Sequence, residues 1–380
     1  MTREQGCLLT ISLNLVILVA ITFLSPPREA FGVELKGFSD VTFNYTRNKQ
    51  DTTDPNTNGS FVLGQFDLYV SEAIGDRLDF LSELVVEAGS SGEFHVDLER
   101  LQIGYLFSDA LKVRAGRFHN LLGYWNMAFH HGAQLQTTIE RPEFLKFEDD
   151  GGILPVHLVG MWVGGRFKTA PTALEYGVMV GNGAKVKNIT CPTLPVCTPS
   201  APGELDPNSV GDNSKNKTVS FHLRLMPEAI RGLNLGISGS FSQLQFFDLA
   251  TGTQIEINGS REIAQGIYGV DLEYLANNVE FLSEFYQIRD HGTRTFLNYA
   301  WYVQAGYKIA NRFTPYARFE RMTVHQDDPF FVALGTLDLS KTIVGIRFDI
   351  IPSSSLKAEV RFVNHIDNYN EYAIQWAFAF

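Results

Sequence analysis

Hydrophobic and polar residues alternate along most of this chain, and the last ten residues show the pattern most plainly. Tyr372, Ile374, Trp376, Phe378 and Phe380 are large and apolar, while Ala373, Gln375, Ala377 and Ala379 between them are small or polar. A strand with this period carries one greasy face along its whole length. The same pattern recurs upstream. Val41, Phe43 and Tyr45 share a face, as do Phe66, Leu68 and Val70. Tyr268, Val270, Leu272 and Tyr274 oppose Asp271 and Glu273. Val344, Ile346, Phe348 and Ile350 oppose Arg347 and Asp349, and Leu356, Val360 and Phe362 oppose Lys357, Glu359 and Arg361. The whole pass gives about sixteen strands, the first near 33–46, the fifth near 111–118, the sixth near 156–168 and the last at 371–380.

The connections alternate too. Gly75-Asp76-Arg77, Ser108-Asp109-Ala110 and Asn277-Asn278 are tight turns, whereas 119–155 and 182–217 are long. An even number of alternating strands, with short and mostly long links taking turns, predicts an all-β fold: a transmembrane antiparallel β-barrel with short periplasmic turns and long extracellular loops. A propeller would repeat every ~40 to 50 residues, and no such repeat is present. A two-domain sandwich needs a linker, and none stands out.

Composition sharpens this picture. The 380 residues are 44% hydrophobic but have a mean hydropathy near zero, so apolar residues are dispersed rather than massed. Phe (29), Tyr (14) and Gly (33) are plentiful, as strands, interface girdles and tight turns require. No segment after the N-terminus has the ~18 consecutive apolar residues of a membrane helix. Residues 1–32 read as a signal peptide, with Arg3, an apolar core from Leu8 to Leu24 and small residues at Ala30 and Gly32, leaving 33–380 as the barrel. An uncleaved anchor is the other reading of that segment. The net charge of −11 argues against nucleic acid as a partner.

The polar face of the strands carries both signs of charge. Glu83, Glu87, Arg114, Glu280, Glu284, Arg318, Glu320 and Arg361 are the candidate lumen-wall residues. Such charges are costly in a dry core and tolerable in a wet lumen. A barrel of ~16 strands leaves an aqueous channel, so passage of small polar solutes or ions is the simplest function.

Residues 119–155 are too long and too apolar for a solvated loop. Leu121, Leu122, Tyr124, Trp125, Met127, Phe129 and Phe144 need cover, and the inside of the barrel wall offers it. Between Glu140 and Asp150, five carboxylates stand against Arg141 and Lys146. Glu143, Glu148, Asp149, Asp150, Arg141 and Lys146 are therefore the pore-constriction candidates, and they predict a weak preference for cations. The alternative places this acidic run outside the pore, as a solvated loop tip.

Ala115-Gly116-Arg117-Phe118, then Gly123-Tyr124-Trp125-Asn126 and Glu140-Arg141-Pro142, resemble a pattern of porin-like bacterial outer-membrane barrels, with a distant likeness to phosphate-selective porins. The resemblance implies a Gram-negative outer-membrane porin whose third long loop folds into the pore. It implies outer-membrane lipid as surroundings and, by analogy, a homotrimer. Trp376, Phe378 and Phe380 are similar to the assembly signal read by the barrel-insertion machinery. No Lys/Arg ladder of the kind a phosphate path needs is evident, so no solute is assigned.

Rival chemistry is thin. His130-His131 could act as bases or ligands, and Glu148-Asp149-Asp150 could bind a divalent cation, but solvated loop residues account for both. There is no G-x-S-x-G, H-E-x-x-H or phosphate-binding glycine loop, so neither an enzyme nor a cofactor is expected. A substrate-specific channel, or a barrel that sheathes or docks a partner protein, remains the alternative. Cys191 and Cys197, six positions apart in a Pro-rich exported segment, predict a local disulfide, with two free thiols as the other reading.

Overall fold

The computed structural model describes residues 33–49, 55–88, 92–129, 132–148, 150–207 and 216–380. The signal-peptide reading of 1–32 lies outside these residues, as do His130, His131 and Asp149.

The chain forms one closed antiparallel barrel of 16 strands. In chain order they are β1 (Glu34–Arg47), β2 (Ser60–Leu63 continuing as Phe66–Ile74), β3 (Leu78–Ala88), β4 (Phe94–Ser108), β5 (Leu111–His119), β6 (His157–Thr169), β7 (Thr172–Gly181) and β8 (Thr218–Pro227). β9 (Leu233–Asp248), β10 (Glu262–Ala276), β11 (Val279–His291), β12 (Thr295–Tyr307), β13 (Phe313–Thr323), β14 (Leu339–Ile351), β15 (Ser354–Asn364) and β16 (Asn368–Ala379) complete it. Each strand pairs with its sequence neighbour, and β1 closes on β16 in a register running from Phe38↔Ala379 to Arg47↔Asn370.

Closure is sealed at the chain terminus. Gly37 N–H donates to the Phe380 carbonyl at 3.0 Å, and Phe380 N–H returns the bond to Gly37 at 2.8 Å. A Cβ on Gly37 would sit 2.5 Å from the Phe380 ring, so glycine is what lets the last residue lie across the seam. Phe380 stacks on Phe66, while Trp376 is exposed and donates to Ser354 Oγ at 2.9 Å.

The alternation read from the sequence becomes an inside-out barrel. Along β13, Phe319 is 38% exposed on the outer face, while its neighbours Arg318 and Glu320 are 1% and 0% exposed on the inner face. Val303, Val344, Ile346, Ile374 and Trp376 also point outward. A cylinder that is apolar outside and charged inside is stable in lipid, where closure leaves no unpaired strand edge. No helix among the described residues is long and apolar enough to cross a membrane. Links of two to five residues join strands at one end, where both β1 and β16 also begin and end the barrel. In barrels of this type that end faces the periplasm. All the long connections lie at the other end.

Two outer connections carry structure of their own. Within 182–217, Lys185–Ile189 and Glu204–Asp206 pair as a small hairpin. Within 324–338, Pro329–Leu334 forms a helix capped by Asp328, whose carboxylate accepts Phe330 N–H at 3.0 Å. Gly203 N–H donates to the Ala333 carbonyl, and Val186, Ile189, Leu205, Phe246, Phe330 and Phe331 join one buried apolar cluster. The same cluster takes in Leu122, Trp125, Phe144 and Leu145 of the 119–155 connection and Tyr286 and Tyr302 of the wall. Cys191 and Cys197 form a disulfide within the 182–217 connection.

Candidate functional site: the lumen and its inserted loop

The connection between β5 and β6 turns inward and is held at both ends. At its root, Asn120 N–H donates to the Val156 carbonyl at 2.8 Å. Asn126 Nδ2 reaches the carbonyls of Asn120 and Val156 at 3.0 and 2.9 Å. The two arms are thus tied before either meets the wall.

The first arm is built around Glu284 of β11. Its carboxylate accepts Trp125 N–H at 2.7 Å, at the start of a single helical turn (Trp125–Ala128), and the hydroxyls of Tyr286 and Tyr302 also donate to it. Gly123, at φ +67°, admits this approach. A Cβ there would fall 1.9 Å from the Tyr286 hydroxyl and 2.0 Å from a Glu284 oxygen. Trp125 and Phe144 are fully buried, edge-on to Tyr302 and Tyr286 at 5.7 Å each, and Arg318 lies over the Trp125 ring.

The second arm runs over wall charges that reach for its backbone. Arg318 donates to Thr138 Oγ1 (3.0 Å) and to the carbonyls of Glu140 (2.8 Å) and Arg141 (3.2 Å). Lys357 meets the Thr138 carbonyl at 2.9 Å, and Arg347 the Gln136 carbonyl at 2.8 Å. Wall carboxylates take the N–H groups: Glu359 accepts from Ile139 at 2.6 Å and Glu320 from Glu143 at 2.8 Å. Glu280 accepts the Thr137 hydroxyl at 2.6 Å. A buried backbone polar group must find a partner, and here charged side chains supply it through strong, charge-assisted bonds.

The loop's own carboxylates are partnered as well. Glu140 pairs with Lys341 at 3.1 Å and Arg361 at 2.5 Å; Glu143 pairs with Lys341 and Lys146, both at 2.6 Å. Burial alone would raise the Glu143 pKa, but Lys341 and Lys146 overcome it and hold the group at about 2. Glu148 is buried and turned back into the loop's exit. It accepts Val156 N–H at 2.8 Å and faces His157 Nδ1 at 3.4 Å, while His157 Nε2 meets Glu99 of β4 at 2.6 Å. Arg141 is buried over the Phe147 ring, 3.9 Å from its centroid. Asp150 is exposed in the turn that follows.

The constriction candidates therefore do not share one environment. Glu143 and Lys146 sit together above the wall, Glu148 is engaged at the loop's exit, and Asp150 stands apart. The lumen-wall candidates divide in the same way. Glu284, Arg318, Glu320 and Arg361 point into the barrel but are buried beneath the loop rather than wetted. Glu83 is buried under Arg100, and Glu87 accepts from Gln65. Of the set, Arg114 looks most plainly into open lumen. It lies over the Trp162 ring and 3.0 Å from Asp79, whose carboxylate also takes Lys112 at 2.6 Å. A cavity of ≈ 500 Å³ opens here, lined by Ser71, Asp79, Arg100, Gln102 and Arg114. Arg100, which also covers the Tyr69 ring, escaped the sequence reading because a register shift beside Glu83 puts Glu99 and Arg100 out of simple alternation. Two adjacent charges in an otherwise alternating strand were the available signal.

Solved structures of bacterial outer-membrane channels share this fold. The chain aligns with the outer membrane channel DcaP of Acinetobacter baumannii at 11% identity and a TM-score of 0.56, covering 92% of this chain and 97% of that one. With the anion-selective porin from Comamonas acidovorans the values are 10%, 0.58, 92% and 99%. With OmpF of Salmonella typhi, solved with daunomycin, they are 11%, 0.57, 92% and 97%. No protein-family model and no curated protein sequence matches the chain.

Proposed function

We propose that this chain forms a water-filled channel in the bacterial outer membrane for passive diffusion of small polar solutes or ions. The observation that carries the reading is the inserted loop. It is anchored on one wall by charged side chains, and the opposite wall keeps Asp79, Lys112 and Arg114 partly exposed to the lumen. A loop docked on one wall, opposite charges that stay partly exposed, is the arrangement of a narrowed, polar-lined pore. The fold likeness to outer-membrane channels supports the same reading. Single-channel recording in planar bilayers tests it. Discrete conductance steps from folded, heat-modifiable protein are expected; folded protein that passes no ions would overturn it.

The proposed ion preference is weakly cationic. The loop's acid excess supports the sign, and the ion pairs of Glu140 and Glu143 with Lys341 and Arg361 account for the weakness. Glu148 is engaged by His157 and Val156, so what remains of the excess rests on Asp149 and Asp150, next to it in sequence. Reversal potentials in a salt gradient should favour cations, less so after Glu148→Gln, Asp149→Asn and Asp150→Asn together. An anion preference, or no response to the triple substitution, would assign the field to other residues.

The protomer is proposed to act as a homotrimer; in-vitro folded OmpT of Vibrio cholerae, similar in fold, has been solved in a trimer form. Phe380, Phe378 and Trp376 are proposed as the assembly signal. Phe380→Asp should lower the yield of heat-modifiable barrel in the membrane; an unchanged yield would remove that role.

A further inference from the structure

The outward face of β9 to β12 is interrupted near its outer end. Cross-strand rows read Phe241, Gly266, Arg289, Leu297 and, one row further out, Gln243, Ala264, His291, Thr295. Gly266 and Ala264 are too small to fill their places among large neighbours. The result is a depression of ≈ 740 Å³ lined by Phe241, Gln243, Gly266, Tyr268, Arg289 and His291, with Lys217 at its edge. The Tyr268 ring leans over Gly266, where an added Cβ would lie 3.3 Å from it.

Its height on the barrel matters. Arg289 is ten residues beyond Val279, the first residue of β11 at the short-turn end. At ~3.4 Å per residue and a tilt near 40° this is about 26 Å, the top of an apolar band roughly 25 Å tall. The floor of the depression is thus apolar and at acyl-chain depth, and its rim is cationic and at headgroup depth. Among the described residues no hydrogen-bond or ion-pair partner meets the exposed Arg289 guanidinium. His291 is exposed and uses Nδ1 on Thr295 Oγ1 at 2.8 Å, so Nε2 is the ring nitrogen left for a ligand. The carboxylate one row further out, Glu262, is engaged by Gln245 at 3.4 Å.

We propose that this depression binds a phosphate-bearing lipid of the outer leaflet. Its headgroup phosphate would lie on Arg289 and His291, and an acyl chain would lie along Phe241 and Tyr268. A planar guanidinium suits a phosphate through paired N–H bonds, and aromatic side chains at this depth favour the interface. The proposal rests on the outer-membrane reading but not on conduction, because these side chains face away from the lumen.

The test is native mass spectrometry of the detergent-solubilised barrel with diphosphoryl lipid A, the same lipid stripped of its phosphates, and inorganic phosphate as a competitor. Wild type should retain the diphosphoryl lipid at least five-fold more strongly than the stripped lipid. Millimolar inorganic phosphate alone should not displace it, because the apolar floor holds the chain. The double variant Arg289→Gln, His291→Gln should lose most of that five-fold difference while keeping heat-modifiability and wild-type conductance. Arg321→Gln, an outward cation outside the depression, should lose none. Equal retention of both lipids by wild type, equal losses from Arg321→Gln, or displacement by inorganic phosphate would each overturn the site. So would disulfide crosslinking between protomers through Ala264→Cys in the membrane, since a second copy would then occupy the depression.

Discussion

The wall beneath the inserted loop and the wall facing it are written in the same sequence grammar and end in different states. On β11 to β15, Glu284, Arg318, Glu320 and Lys357 alternate with lipid-facing apolar residues and are then sealed under the loop. On β3 to β6, Asp79, Lys112 and Arg114 alternate in the same way, yet they pair across strands and remain partly exposed. The difference is the partner. One set satisfies backbone groups of a distant segment, the other satisfies itself and water. A charge in the first set should matter for loop position, and a charge in the second for ion flow.

The sharpest way to break this contrast is Arg318→Met. The side chain fills similar space but abandons Thr138 Oγ1 and the Glu140 and Arg141 carbonyls. It also leaves Glu320, 3.6 Å away, with less compensation. Removing one partner from a buried charged network typically costs about 3–5 kcal/mol. That loss falls on loop docking, because the strand ladders of the barrel are untouched. We expect larger, noisier conductance and new protease cleavage within 132–148, with heat-modifiability retained. Conductance and cleavage identical to wild type would show that the loop does not depend on this wall.

Acid probes the same side more gently. The Glu143 pKa is depressed in the folded state, so the docking free energy it contributes is complete above the ordinary carboxylate pKa, near ~4.3. It is lost as pH falls from there toward about 2. Loop-dependent conductance should therefore be steady through neutral pH down to about 5 and rise only below ~4. A transition between pH 6 and 8 would point to a different group.

On the open wall, Arg114→Gln leaves Asp79 still paired with Lys112 and uncovers no buried backbone. Its effect on stability should stay within about 0.5 kcal/mol, as for a partly exposed charge. The reversal potential should move toward cations, more at low ionic strength than at high. A large drop in stability with no change in selectivity would invert the comparison.

These two walls also mark what a reader of the sequence can recover. Alternation is a local property. Phe319 facing out and Arg318 facing in follow from a period of two, and so do strand order and closure once the short and long links are counted. That Arg318 would be covered while Arg114 stays open depends on contacts across about 140 to 220 residues, such as Thr137 to Glu280 and Ile139 to Glu359. No periodicity encodes those. The apolar content of 119–155 announced that it needed cover, but not which wall would give it. Glu148 illustrates the limit: in sequence it belongs to an acidic run, and in space it closes the loop's exit against Val156 and His157. The helix Pro329–Leu334 was readable, because Asp328 before proline and Gly335 after the apolar run are start and stop signals.

The smallest expected effect concerns a link that lies on neither wall. The disulfide closes seven residues, Cys191 to Cys197, within the outer connection. Cys197 N–H donates to the Glu256 carbonyl at 2.8 Å, and Cys197 is buried in the apolar cluster that the hairpin and the Pro329–Leu334 helix, together the outer cap, share with Trp125 and Phe144 of the inserted loop. A ring this short restricts the unfolded chain by about 2–3 kcal/mol at most, and only locally. The barrel strands do not pass through it, and the loop anchors on β11 to β15 lie elsewhere. Cys191→Ser with Cys197→Ser should loosen the cap, seen as faster amide exchange in 185–206. Barrel melting, conductance and selectivity should all stay at wild-type values. If conductance instead rises as in Arg318→Met, the outer cap is coupled to the inserted loop, and the lumen must be treated as one mechanical unit rather than two walls.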